Sequence, residues 1–451
     1  MSTPRVLLSL ASALALALGS PALAQTPAKI NFVRDTLDNG LELILAEDHS
    51  AQVVAVDLWY DVGSRNERPG RSGFAHLFEH MMFQGSANVK KNDHGNLIER
   101  AGGFSNATTN EDRTSYFQVV PSNRLNLVLW LEADRMRTLA VTDTNFNNQR
   151  EAVKEERRLR VDNQPYLRAI FEDNYAAFDS TGCFAYAHSI IGSMADLDGA
   201  KTEDVQAFFD LYYVPNNATL VIAGDFDPAE ARRLAREYFG GIPRGKEPPA
   251  VGCQTPFSGG HVRKKIHDPK ANLPATVQVY RIPKYDDPDS PALELLATIL
   301  GQGESSRLNR KLAREAKLAV ASQTFYSPFG PRRGPGVFMA LAIANQGVNV
   351  DSLDALLSQE VAKVAAEGVT ETELTKAKNS FRAQAINDRQ QALNVAVALN
   401  LARMYLGSAD AVNTSFDRYM KVTLDDIKRA AAKYLRADNA LVLILSSETT
   451  S

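Results

Sequence analysis

One pattern in this sequence occurs twice. Residues 204–222 read DVQAFFDLYYVPNNATLVI, and residues 426–444 read DIKRAAAKYLRADNALVLI. A constant offset pairs Asp204 with Asp426, Val205 with Ile427, Tyr212 with Tyr434 and Asn217 with Asn439. In each copy, apolar residues at the 3.6-residue period of a helix run into a short polar turn and then an apolar strand. Repeats this far apart indicate two duplicated domains, since a solenoid repeats every 20–50 residues or so. A chain of 451 residues is also too long for one core.

The boundary falls where Pro and Gly concentrate. Residues 240–260, GGIPRGKEPPAVGCQTPFSGG, cannot hold a helix or a central strand. The expected organisation is a first domain over 25–245, a linker over 246–260 and a homologous second domain over 261–451, the two halves being of about 210 residues. In the first half, residues 41–45 and 53–60 read as strands, and 72–85, 93–101, 122–138, 145–160 and 164–178 as helices. In the second, strands are expected near 276–282, 320–326 and 336–343, and helices near 290–300, 351–366 and 371–407. Strands and helices do not alternate regularly, so the class is α+β, each half a mixed sheet with helices packed on it.

The first 24 residues read as an export leader. Arg5 gives a positive start, residues 6–19 are an apolar run, and Ala22-Leu23-Ala24 supplies the small-x-small pattern for cleavage before Gln25. The run is shorter than the roughly 20 residues a bilayer-spanning helix needs. The expected location is the periplasm. Two cysteines, Cys183 and Cys253, remain after cleavage; an oxidising compartment permits a bridge between them, while their separation in space is open. With 50 Lys and Arg against 53 Asp and Glu, and no long block of one sign, nothing points to nucleic acid or an anionic membrane.

The chemistry concentrates in SGFAHLFEHMMFQG, residues 72–85. On a helix, His76 and His80 stand one turn apart and leave the same face, with Glu79 beside them. Leu77, Phe78, Met81 and Met82 supply the apolar surface that fixes such a helix in a core. Two rigidly held imidazoles and a nearby carboxylate are what a catalytic zinc site requires, and the H-x-x-E-H order is the inverzincin pattern. A third protein ligand is expected. The acidic segment 149–160, QREAVKEERRLR, holds the candidates, and spacing alone does not choose among Glu151, Glu155 and Glu156.

Four segments in order carry a family resemblance: HLFEH with its apolar continuation to Gly85, SNATTNEDRTSYF (105–117), NQREAVKEERR (148–158) and IIGSMADL (190–197). The chain resembles the pitrilysin-like inverzincin peptidases of family M16, in particular the short bacterial members similar to mitochondrial processing peptidase. The resemblance implies a clamshell-type pair of domains, one Zn²⁺ per chain held by His76, His80 and Glu156, and Glu79 as general base for the attacking water. It implies that 105–109 forms an edge strand to which a peptide substrate adds by main-chain pairing, with Asn106 and Ala107 touching substrate near the cleavage point.

Two positions depart from the family pattern. Gln149 stands where a supporting Glu is usual, seven residues before the third ligand. Active members also need an Arg and a Tyr seven apart from a companion domain; here Arg314 is present, but Ala321 replaces the Tyr, and Tyr326 lies a few residues further along a strand. A phenol hydroxyl for the substrate carbonyl or the developing oxyanion is thus missing. The expectation is the catalytic subunit of a heterodimer whose homologous partner supplies Arg and Tyr, enclosing a chamber that admits peptides or unfolded segments. The alternatives are a self-sufficient homodimer and a metal-binding, non-hydrolytic partner or chaperone subunit.

Overall fold

A computed structural model describes residues 26–254 and 261–447. The expected leader, residues 1–24, and residues 255–260 of the linker lie outside the described residues. Two sheets organise the chain. The first is built from β1 (Val33–Thr36), β2 (Glu42–Glu47), β3 (Val53–Tyr60), β4 (Phe104–Thr109), β5 (Thr114–Pro121) and β6 (Ala218–Gly224), in the order β1-β2-β6-β3-β5-β4. The second holds β7 (Val262–His267), β8 (Ala275–Ile282), β9 (Ala319–Tyr326), β10 (Gly336–Ala344) and β11 (Ala440–Ser446), in the order β7-β11-β8-β10-β9. Without β1 the two orders superimpose: β2 runs parallel to β6 as β7 does to β11, and the remaining neighbours are antiparallel.

The repeated sequence accounts for this. Its two copies become the helices Thr202–Tyr212 and Leu424–Tyr434 leading into β6 and β11. The paired asparagines close the same turn in each copy. Asn217 donates to the carbonyl of Tyr212 at 2.9 Å and Asn439 to that of Tyr434 at 2.6 Å. A side-chain amide here satisfies a carbonyl at the helix end that has no partner within the helix.

The central strands are buried on both faces; Val54, Ala55, Val56 and Leu58 of β3 have no exposed surface. Each half obtains part of this cover from the other. Let α1 be Phe74–Met81, α2 Asp143–Arg157, α3 Leu167–Phe171 and α4 Ala392–Leu406. Ala396, Leu399 and Ala402 of α4, from the second half, pack on Ile44, Ala46, Val221 and Ala223 of the first sheet. In return Ala169 and Ile170 of α3, with Phe178, pack on Val277, Val279, Val337, Met339, Leu441 and Leu443 of the second.

The lent segments are where helices expected from periodicity break. The segment 164–178 is not one helix: α3 stops after Phe171, where Glu172 leaves helical geometry, and a tight turn over Asp173–Ala177 follows. The segment 371–407 is two helices, Glu371–Asp388 and α4, separated by an extended Gln391 that redirects the chain toward the first sheet. Residues 105–117 form a hairpin, because Asn110 Oδ1 accepts from the backbone N–H groups of Asp112 and Arg113 at 2.8 and 2.9 Å and turns the chain back after β4. β1 and β7 carry no apolar alternation, since they are exposed edge strands rich in charge.

Cys183 and Cys253, left open by the sequence, are joined in a disulfide that ties the linker to the first half. The 70-residue separation predicts that mutating both cysteines to Ser costs about 4 kcal/mol, largely by freeing the unfolded chain. Chemical denaturation of the protein, with and without reductant, measures it.

Asp57 on β3 is fully buried against α4, accepting from Asn400 Nδ2 at 3.0 Å and Ser115 Oγ at 3.2 Å. Burial pushes its carboxyl up to about 6. A folded-state value above the unfolded one means the contribution is present below the unfolded pKa, near 4, and is lost as pH rises to about 6. Asp57→Asn is expected to remove that slope and to stabilise the protein at pH 7 by up to about 3 kcal/mol. The new amide can also donate to Asn400 Oδ1, which has no partner. Urea midpoints of both proteins at pH 4 and pH 7 check this; parallel slopes would refute it.

Candidate metal centre

The start of α1 is held from several directions. Gly73 has φ +88°, and a Cβ there would lie 2.7 Å from the carbonyl oxygen of Ile191 and 2.8 Å from Gly192 Cα, so only glycine admits this crossing. Ser72 donates through Oγ to Asp196 at 2.5 Å, pinning the 190–197 segment against the helix. The carboxylate of Glu67 accepts from the backbone N–H groups of Gly73 and Ala75, both at 2.8 Å, which neutralises two of the donors a helix N-terminus leaves free. His188 Nε2 stands 3.0 Å from the same carboxylate. Sequence reasoning missed Glu67 and His188, which carry no motif spacing relative to the histidines.

The apolar face of α1 then fixes its rotation. Leu77, Phe78 and Met81 are buried, and the Phe78 ring lies 5.6 Å from that of Phe209 and 4.3 Å from that of Tyr213. On the opposite face the rings of His76 and His80 are 4.8 Å apart. Helix α2 packs against α1 and delivers Glu156, with Oε2 3.1 Å from His80 Nε2 and 3.6 Å from His76 Nε2. One donor atom from each of these three residues lies within 4.8 Å of the others, a geometry able to hold a metal ion. Of the three glutamates left open by spacing, Glu151 pairs with Lys154 and Glu155 with Arg158 at the surface. Only Glu156 joins the histidines.

The two carboxylates of the site sit in different fields. Glu156 is held down to about 2 by the hydrogen bond from His80, with His76 and Arg160 adding to it. Glu79 is raised, chiefly by burial, against a hydrogen bond from Thr109 Oγ1 at 2.6 Å. Burial, helped by neighbouring His80, lowers His76 to about 4. Near neutral pH the cluster therefore offers an ionised carboxylate and a neutral imidazole with a free lone pair, the protonation states a metal demands. By its donor chemistry, two imidazole nitrogens and one carboxylate oxygen, the set fits Zn²⁺.

The cluster opens into a cleft of about 570 Å³. One wall is β4, paired with β5 on one side and unpaired on the other. Asn106, exposed, and Ala107, buried, both line the cleft, as do Phe83, Phe171, Tyr175, Ile191 and, from the second half, Phe329. Gln149 also lines it, its amide donating to Asn148 Oδ1 at 2.8 Å. Arg314 and Ala321 do not. Arg314 is exposed and pairs with Glu304 at 2.5 Å, Ala321 is exposed on the edge strand β9, and Tyr326 on the same strand has its hydroxyl buried elsewhere.

Two family models match the chain: Insulinase (Peptidase family M16) over residues 42–179 and Peptidase M16 inactive domain over residues 200–381. The sequence is 30% identical over 415 residues to zinc protease PqqE of Helicobacter pylori, covering 91% of each chain. It is 24% identical over 408 residues to the probable mitochondrial-processing peptidase subunit beta of Arabidopsis thaliana, covering 89% of this chain and 75% of that one. The crystal structure of a protease from Helicobacter pylori matches with a TM-score of 0.87 at 26% identity, covering 92% of this chain and 99% of that one. The chain belongs to peptidase family M16 and has the two-domain, α+β architecture of its clamshell peptidases. Among the described residues no helix is long and apolar enough to cross a membrane.

Proposed function

We propose that the chain is a zinc-dependent endopeptidase in which His76, His80 and Glu156 hold the metal and Glu79 is the general base. The observation that carries this reading is the convergence of those three donors, with Glu156 held ionised and His76 neutral near neutral pH, beside a fourth, separately held carboxylate. A zinc ion held there would supply a Lewis acid for the scissile carbonyl and would make the attacking water more acidic.

The chain's own groups do the rest. A peptide adds to the free edge of β4 by main-chain hydrogen bonds, with Asn106 and Ala107 against the residues around the scissile bond. Glu79, which lines the cleft and accepts from Thr109 at one oxygen, takes the proton from the attacking water. The burial that raises its pKa makes it a better base than a solvated glutamate.

The oxyanion side is incomplete in this chain, because Ala321 has no hydroxyl and neither Arg314 nor Tyr326 lines the cleft. That supports a heterodimer in which a homologous subunit supplies an Arg and Tyr and the two chains close around a chamber for peptides or unfolded segments. Export to the periplasm is supported by the leader-like residues 1–24 and by the Cys183–Cys253 bridge, which persists in an oxidising compartment.

Elemental analysis of the purified mature chain should find one zinc per chain, unchanged in Glu151→Ala and Glu155→Ala and lost in Glu156→Ala and His76→Ala. Zinc retained by Glu156→Ala would overturn the ligand set.

Glu79→Gln should keep its zinc and its capture of peptide while losing cleavage by at least about a hundredfold. A quenched fluorescent peptide reads this out. Zinc-loaded chain alone should turn over poorly and recover on mixing with a similar polypeptide carrying the Arg and Tyr. Full chelator-sensitive activity from a verified homodimer would rule out the heterodimer.

A further inference from the structure

The tips of two hairpins interlock where the halves meet. The turn between β4 and β5 is residues 110–113; the connection between β9 and β10, at the equivalent place in the second sheet, is residues 327–335. Asn110 Nδ2 donates to the carbonyl of Phe329 at 3.4 Å, Asp112 accepts from the backbone N–H of Arg333 at 2.8 Å, and between them the carboxylate of Glu111 pairs with the guanidinium of Arg332. The side chains of Glu111 and Arg332 are 0% and 1% exposed.

An ion pair at that depth adds little net stability, because desolvating both charges offsets most of their attraction. It resists separation strongly, because either partner alone would be a buried, uncompensated charge. Such a contact is suited to setting a position. What it positions is specific: the gripped turn begins one residue after Thr109, whose hydroxyl holds Glu79 at 2.6 Å, and it closes the strand that carries Asn106 and Ala107.

We propose that Arg332 is a positioning residue for the reaction. By holding Glu111 it fixes the tip of the β4–β5 hairpin, and through Thr109 it fixes the orientation of the Glu79 carboxylate. The inference rests on the reading of Glu79 as general base. It gives the half without a metal motif a part in the active centre of its own chain, separate from anything a second subunit contributes.

The test uses the full mature chain, zinc-loaded and combined with its partner where turnover requires one. Glu111→Gln keeps the shape and removes the charge; Arg332→Lys keeps the charge and removes the fork, and stands in where Glu111→Gln fails to fold. Either is expected to lower kcat roughly tenfold or more, since small misplacements of a catalytic group have effects of that order. Zinc stoichiometry should stay unchanged, kcat should fall by more than KM rises, and amide hydrogen exchange over residues 104–121 should speed up while that of α1 does not.

Thr109→Val should lower kcat similarly, and Thr109→Val/Glu111→Gln should be no slower than the slower single variant, because both act on one path. An unchanged kcat in Glu111→Gln and Arg332→Lys, or a double variant slowed by the product of the two singles, overturns the proposal. If Glu79→Gln keeps wild-type turnover, the base assignment falls and this inference with it. That result is distinct from an inactive Glu79→Gln beside a fully active Glu111→Gln.

Discussion

Both central sheets have two faces to cover, and neither half covers its own completely. That constraint organises the molecule. The strands β6 and β11 read as nearly continuous apolar runs because they are buried front and back, which a half-exposed antiparallel strand would not tolerate. α4 and the α3 segment answer the need reciprocally, so the two halves share hydrophobic surface and cannot part without exposing it. The metal cluster inherits this rigidity. α1 is packed on the first sheet, α2 on α1, and the 190–197 segment on the start of α1, so the donor atoms are set by the core and not by a loop.

Within the cluster, burial does most of the chemical sorting. Two glutamates beside the same histidines are shifted in opposite directions, because one receives a hydrogen bond from His80 while the other is desolvated more strongly than its hydrogen bond from Thr109 compensates. Environments that drive two carboxyls apart allow one to be a permanent anion and the other to exchange a proton. His76 is treated likewise, its buried ring kept neutral, the form in which an imidazole can bind a metal.

Much of this was legible in the sequence because it depends on local periodicity. The i, i+4 histidines, the apolar positions between them, the duplicated helix-strand unit and strand β3 follow from spacing within one element. What was not legible depends on distant residues. Nothing near Glu156 distinguishes it from Glu151 and Glu155; only the packing of α2 on α1 turns it inward, and it was the family resemblance that singled it out. Glu67, His188 and Thr109 are separated from the histidines by 9 to over 100 residues and follow no spacing rule. The helices expected over 164–178 and 371–407 have continuous periodicity, yet each breaks where the chain leaves its own half to cover the other sheet, a demand that no window of one segment contains.

The departures at Gln149 and Ala321 carry different weight for the same structural reason. Gln149 lies in the cleft with its amide engaged by Asn148, so the substitution exchanges a charge for a hydrogen-bonding group of the same size beside the His76–His80–Glu156 cluster, which does not include it. Ala321 removes a functional group outright, and its strand lies away from the cleft of its own chain. A hydroxyl restored at 321 would thus still not reach the metal cluster of the same chain. The second half reaches that cleft by another route, the 327–335 connection that brings Phe329 to its wall. One half-domain thus has two separable tasks, supporting the centre of its own chain from behind and presenting β9 outward. Only the second depends on the residue at 321, which explains how the tyrosine can be absent while the His76–His80–Glu156 cluster, Glu79 and the strand beside them remain intact.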